Sequence, residues 1–191
     1  MITIQEIEAQ IAESVRVKES LKAEAPRLKE FALLWVEAIR RGNQIFFFGN
    51  GGSAADAQHL VCELAGRFYL ERKPLPVTAL TVNTSSLTAI ANDYSYDDIF
   101  ARQLEGLARP GDIAVGISTS GNSPNVVKAL EVARRLEVVT VGFTGRGGGK
   151  MRDLCDHWLG IDSDTTPRIQ EGHILAGHIV CELTERELFG Q

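Results

Sequence analysis

The chain has 191 residues and a mass of 20.9 kDa, enough for one domain that buries its own core. Apolar residues make up 44% and charged residues 24%, which excludes a mainly disordered chain. Twenty basic residues against 25 acidic ones, a net charge of −5 and a pI of about 5.4 argue against a bulk nucleic-acid or anionic-membrane binder, while leaving room for a local anion pocket.

Residues 3–22 read as a helix, with Ile4, Ile7, Ile11 and Val15 on one apolar stripe. A break at Glu24–Pro26 follows, proline being well placed to open a second helix whose apolar face carries Leu28, Phe31, Trp35, Ala38 and Ile39. Arg40, Arg41 and Gly42 end it with cations and then glycine. The expectation is that residues 1–42 form a helical hairpin within the same domain as residues 43–191. The period then changes. Gln44–Phe48 reads as a buried strand closed by Gly49-Asn-Gly-Gly-Ser53, followed by a helix from Ala54 to about Leu70. Further strands are expected at Val77–Val82, Asp112–Ile117, Val138–Phe143 and His157–Ile161. Helices are expected over residues 96–107, from Pro124 to about Leu136, and over residues 167–189. Strands alternating with helices predict an α/β fold, a parallel five-stranded sheet flanked by helices. In such sheets ligands gather at the carboxyl ends of the strands, here the loops after the first and third.

The three cysteines, Cys62, Cys155 and Cys181, are odd in number and scattered, so they read as small buried hydrophobes rather than a disulfide framework or a zinc finger. The N-terminus lacks a basic segment followed by an apolar run, and no apolar stretch approaches the roughly 18 residues a membrane span needs. A cytoplasmic setting is the expectation.

Four segments carry candidate chemistry. Gly49-Asn50-Gly51-Gly52-Ser53 lets the backbone approach a ligand between strand and helix, though a purely structural turn has the same composition. Ser118-Thr119-Ser120-Gly121-Asn122-Ser123 opens a helix with four hydroxyls, more than an N-cap requires, and without lysine or arginine. Such a loop suits a phosphate held by hydrogen bonds and the helix dipole. His59 and Glu63 are four residues apart on one helix, so they share a face and could hold one metal ion or act as an acid–base pair. Arg67 would continue that face, and a solvated stripe is the alternative. Arg168-Ile-Gln170-Glu-Gly-His173 with His178 opens the last helix. Gln170 and His178 lie roughly 12 Å apart along the axis, and could share a ligand only by leaning together or by coming from different chains. Periodicity does not say which histidine matters.

The order Gly-Asn-Gly-Gly-Ser, His-x-x-x-Glu, Asn92-Asp93, Ser-Thr-Ser-Gly-Asn-Ser and Arg-Ile-Gln-Glu resembles the sugar isomerase (SIS) domain family, a flavodoxin-like fold, and within it the phosphoheptose isomerases. The match covers nearly the whole chain. The resemblance implies that Asn50, Gly51, Gly52 and Ser53 line a sugar phosphate, that Ser118, Thr119, Ser120 and Ser123 hold its phosphate, and that Asn92, Asp93, Arg67, Glu63 and Gln170 contact the substrate. It implies zinc ligands at His59, Glu63, Gln170 and His178, and an acid–base pair at Glu63 and His178. It also implies a homotetramer with sites at subunit contacts, working on the route to ADP-heptose by isomerising sedoheptulose 7-phosphate to D-glycero-D-manno-heptose 7-phosphate. One departure is Pro167, where some members carry an acidic residue. The alternatives are a non-catalytic SIS-domain regulator of replication initiation and a zinc hydrolase. The regulator would not need the acid–base pair, and the hydrolase would lack its H-E-x-x-H motif.

Overall fold

The computed structural model describes residues 1–190, so residue 191, the end of the expected 43–191 span, lies outside the described residues. Helix α1 (Ile4–Ser20) starts at a capping box in which Thr3 and Glu6 exchange hydrogen bonds. A 3₁₀ turn (Leu21–Glu24) leads to α2 (Ala25–Arg40), with Pro26 in its first turn as expected. The chain then runs β1 (Ile45–Gly49), α3 (Gly52–Ala65), β2 (Val77–Ala79), α4 (Thr84–Asp93), a 3₁₀ turn (Tyr96–Asp98), α5 (Ala101–Leu107), β3 (Ile113–Ser118) and α6 (Pro124–Arg135). It ends with β4 (Val139–Gly145), a 3₁₀ turn (Gly149–Met151), β5 (His157–Ile161) and α7 (Thr166–Phe189).

All five strands are parallel, in the order β2-β1-β3-β4-β5. Helices cover both faces, which is why β1 and β3 are apolar at successive positions rather than alternating with polar residues. The two-residue period still sorts them. Ile45, Phe47, Ile113, Val115 and Ile117 face a core shared with α2, α3 and α7, while Phe46, Phe48 and Ala114 face α5 and α6. Each fully buried aromatic contributes roughly 1.5–3 kcal/mol relative to exposure. Val17, Leu21, Leu28, Phe31 and Trp35 belong to the first core, so the N-terminal helices share it with the sheet. They pack chiefly on α7 rather than on each other.

Several boundaries differ from expectation. Helix α3 stops at Ala65 because Gly66 takes a non-helical conformation, so Arg67 does not continue the face of His59 and Glu63. Strand β2 ends at Ala79, and the expected helix over 96–107 is divided by a turn. Helix α4, capped by Asn83, is not among the expected elements; it has no fully buried residue, and its short apolar face of Leu87, Ile90 and Ala91 packs part-buried on the second core. The stripe Ile4, Ile7, Ile11 and Val15 lies at least half exposed, and α1 instead buries Ser14 and Val17.

Candidate active site

Strand order reverses between β1 and β3, so the loops that follow them diverge and leave a crevice at their carboxyl ends. In the loop after β3, the Ser118 hydroxyl lies 2.8 Å from that of Ser123 and 3.4 Å from that of Ser120. Ser123 is the N-cap of α6, yet its side chain makes no capping bond and turns toward Ser118. The capping alternative therefore does not account for this hydroxyl. Three hydroxyls converge in front of a helix N-terminus, a donor set and dipole that suit a phosphate. Thr119 is half-buried beside them. Its carbonyl accepts from the N–H of Gly145, and the carbonyl of Gly121 accepts from the N–H of Met151, so the loop is pinned to the segment after β4.

The loop after β1 is tied to this one. Asn50 and the buried Asn125 exchange amide hydrogen bonds of 2.8 and 2.9 Å, and the Tyr96 hydroxyl donates to Asn50 Oδ1 at 3.1 Å. Asn92 and Asp93, exposed at the end of α4, are joined by a 2.8 Å hydrogen bond. Tyr96 brings that segment to the first loop. Neither Asn125 nor Tyr96 stood out in the sequence, since no motif or spacing marks them. Ser53 is buried, Gly51 and Gly52 are exposed, and the Gln170 side chain rests on Gly52 so closely that a Cβ there would overlap its amide.

His59, Glu63 and His178 meet between α3 and α7, with one ligand atom from each lying within 4.8 Å of the others. His59 Nε2 is 2.8 Å from His178 Nε2 and 3.2 Å from Glu63 Oε1. Two imidazole nitrogens and a carboxylate oxygen turned toward one point fit a divalent metal such as zinc. Burial and the neighbouring His59 lower His178 below the usual imidazole range, with Glu63 pulling the other way. Gln170, in the second turn of α7, lays its side chain against Gly52 at the start of α3. Asp56, one turn before His59, is not among the candidates read from the sequence, although the spacing Asp-x-x-His-x-x-x-Glu places it on the same stripe. Its Oδ2 is buried without a partner, and burial raises its carboxyl to about 6 against the opposing pull of His59. Arg67 instead pairs with Glu71 at 3.2 Å. Pro167 lies in the first turn of α7, where its missing N–H costs nothing.

Along α3, the start of the helix at Gly52 is about 10 Å from His59 and about 16 Å from Glu63.

His173 is the core histidine. It is fully buried, its Nε2 lies 3.0 Å from the Thr144 carbonyl, and its Nδ1 has no partner. Nε2 must therefore carry the proton. Burial lowers its pKa to about 4 from 6.5, and the Thr144 carbonyl opposes only part of that. The unfolded chain takes up this proton near pH 6.5 and the folded one does not, so stability is complete above that value and declines as pH falls toward 4. About 2 kcal/mol should be lost by pH 5 from this group. Thermal melts between pH 7.5 and 5 should show a smaller fall in Tm for His173→Gln than for the parent protein; equal slopes would contradict the assignment.

Comparison with known proteins follows the same lines. A sequence model of the SIS domain family matches residues 10–145. A phosphoheptose isomerase of Geotalea daltonii is 52% identical over 189 residues, covering 98% of both chains. The structure of a phosphoheptose isomerase from Neisseria gonorrhoeae superposes with a TM-score of 0.90 at 40% identity, over 96% of this chain and 99% of that one. One from Francisella tularensis superposes with a TM-score of 0.93 at 34% identity, over 97% of this chain and all of that one.

Proposed function

The chain belongs to the SIS domain family, among its phosphoheptose isomerases, and from that premise we propose how its residues act. It is an isomerase of a sugar phosphate, and the substrate that fits is sedoheptulose 7-phosphate, converted to D-glycero-D-manno-heptose 7-phosphate as a precursor of ADP-heptose. The observation that carries this reading is the convergence of His59, Glu63 and His178 on one point, in a chain that also holds the Ser118–Ser123 hydroxyl loop.

The phosphate sits against Ser118, Thr119, Ser120 and Ser123 at the N-terminus of α6. Asn50, Gly51, Gly52 and Ser53 line the adjoining wall, and Asn92, Asp93, Arg67 and Gln170 contact the sugar. Aldose–ketose exchange moves one proton between C1 and C2. Glu63 takes and returns it. Its Oε1 faces His59, which leaves Oε2 for the transfer. His178 exchanges protons with the sugar oxygens. A positioned base supplies only about 10²–10⁴-fold, so charge on the enediolate oxygen needs further stabilisation. A zinc ion, held by His59, Glu63 and His178 with Gln170 as the further ligand the resemblance implies, would supply that stabilisation as a Lewis acid.

The exposure of His59 supports sites completed at subunit contacts. The exposed Ile4, Ile7, Ile11 and Val15 supply an apolar face for such contacts, and a homotetramer is the assembly we favour. Residues 1–42 are part of the same domain in this reading. No helix among the described residues is long and apolar enough to cross a membrane, in keeping with the cytoplasmic setting proposed here.

In deuterated water the protein should convert sedoheptulose 7-phosphate to the aldose and incorporate deuterium at the carbon that becomes C2, read by proton NMR. Binding without exchange or conversion would favour the regulatory alternative and sink the enzymatic one.

A further inference from the structure

Two helical turns beyond His178, on the same face of α7, stands Glu185. Its side chain is 2% exposed and that of its partner Arg72 is 1% exposed, with Arg72 Nε 2.9 Å from Glu185 Oε1. The Glu185 carboxylate also accepts from three consecutive backbone N–H groups, those of Phe68, Tyr69 and Leu70, at 2.9, 2.7 and 2.9 Å. Arg72 donates to the carbonyls of Glu63 at 2.9 Å, Leu64 at 2.7 Å, Gly66 at 3.0 Å and Lys73 at 3.1 Å. The first two are among the last carbonyls of α3, which have no partner within the helix.

The pair therefore joins the end of α3 that carries Glu63 to the helix that carries His178. It also holds the segment that lays the Phe68 ring edge-on to His178, with centroids 5.9 Å apart. A buried ion pair is seldom more stable than apolar side chains of the same volume, because desolvation offsets the attraction. What apolar side chains cannot reproduce is its geometry, in which seven hydrogen bonds with the backbone of α3 and the loop after it converge on a pair whose carboxylate belongs to α7. The geometry points to Arg72 and Glu185 as a positioning pair that fixes the approach of Glu63 to His178, and with it the donor set those residues form with His59. Neither residue touches substrate in this arrangement. The inference rests on the functional reading above for its catalytic consequence, but not for its effect on the donor set.

The test compares the parent protein with Arg72→Met/Glu185→Leu, which removes both charges together, and with Arg72→Lys, which keeps the charge but loses the planar fork. Circular dichroism and thermal melts establish folding. Cobalt(II) titration followed by visible absorption reads the His59–Glu63–His178 set without substrate, and steady-state kinetics read turnover per folded molecule. In a folded variant the Co²⁺ affinity is expected to fall about 10–100-fold with an altered ligand-field band, and kcat to fall by a comparable factor, the range seen when supports behind a metal set are removed. KM should stay within about twofold, because none of the pair's hydrogen bonds reaches the hydroxyl loop. A lower Tm alone, with Co²⁺ affinity, absorption band and kcat unchanged, would overturn the proposal. If the double variant does not fold, Arg72→Lys decides by the same criteria, and failure of both to fold would make the pair a folding element and overturn it too. A parent protein that binds Co²⁺ but never isomerises the sugar phosphate would refute the functional reading, while the titrations still judged the pair.

Discussion

Glu63→Gln should lower kcat for sedoheptulose 7-phosphate by about 10²–10⁴-fold while KM shifts by less than about threefold. The amide has the same shape as the carboxylate and can still accept a hydrogen bond from His59, which stands 3.2 Å away. It cannot carry a proton between two carbons. The phosphate anchor proposed above is the loop after β3, on a different element from Glu63, so ground-state binding should survive. The substitution also removes the one anionic donor from the His59–Glu63–His178 set, so weaker metal retention should accompany the kinetic loss. Steady-state kinetics at saturating metal separate the two effects. A kcat within about fivefold of the parent under those conditions would remove Glu63 from the proton path.

Gly121→Ala should be the most damaging single methyl in the hydroxyl loop. Gly121 has φ +65°, where a side chain is strained, and a Cβ there would overlap the carbonyl of Gly148, which is backbone and cannot rotate away. The loop after β3 must therefore separate from the segment after β4. That breaks the bond from the Met151 N–H to the Gly121 carbonyl and displaces Ser120 and Ser123 from Ser118. The expected cost is about 2–4 kcal/mol, or roughly 5–15 °C in Tm, with KM raised at least about tenfold. Gly147→Ala provides the control. A Cβ at Gly147 meets nothing within 4 Å, so it should change stability by less than about 0.5 kcal/mol. Indistinguishable melts and KM values for the two variants would show that the contact with Gly148 does not shape the loop.

Much of the architecture was legible because buried parallel strands announce themselves as uninterrupted apolar runs. Gln44–Phe48 and Asp112–Ile117 read this way and each overlap the observed strand with a one-residue offset, and His157–Ile161 coincides with β5. Helix α4 was not legible, because its apolar face is only Leu87, Ile90 and Ala91, a single turn's worth of spacing inside a polar stretch, beside the cap at Asn83. The stripe Ile4, Ile7, Ile11 and Val15 was visible as a helix signal, but periodicity cannot tell a face turned to the molecule's own core from one turned outward. In the site, four-residue spacing on one helix is enough to bring His59 and Glu63 together. The meeting of both with His178, 119 residues from His59, depends on how α7 crosses α3 and has no local signature. The same holds for Asn125, Tyr96, Arg72 and Glu185, whose partners are distant in sequence or are backbone groups that any residue supplies.

The paired amides of Asn50 and Asn125 have a kinetic corollary. Each carboxamide uses its NH₂ on the other's oxygen, so neither can flip without breaking two bonds, and the loops after β1 and β3 are latched before any ligand arrives. A pocket latched in advance has little to rearrange during encounter. Stopped-flow association should then be a single exponential whose rate rises linearly with ligand concentration, free of the plateau that a slow opening step imposes.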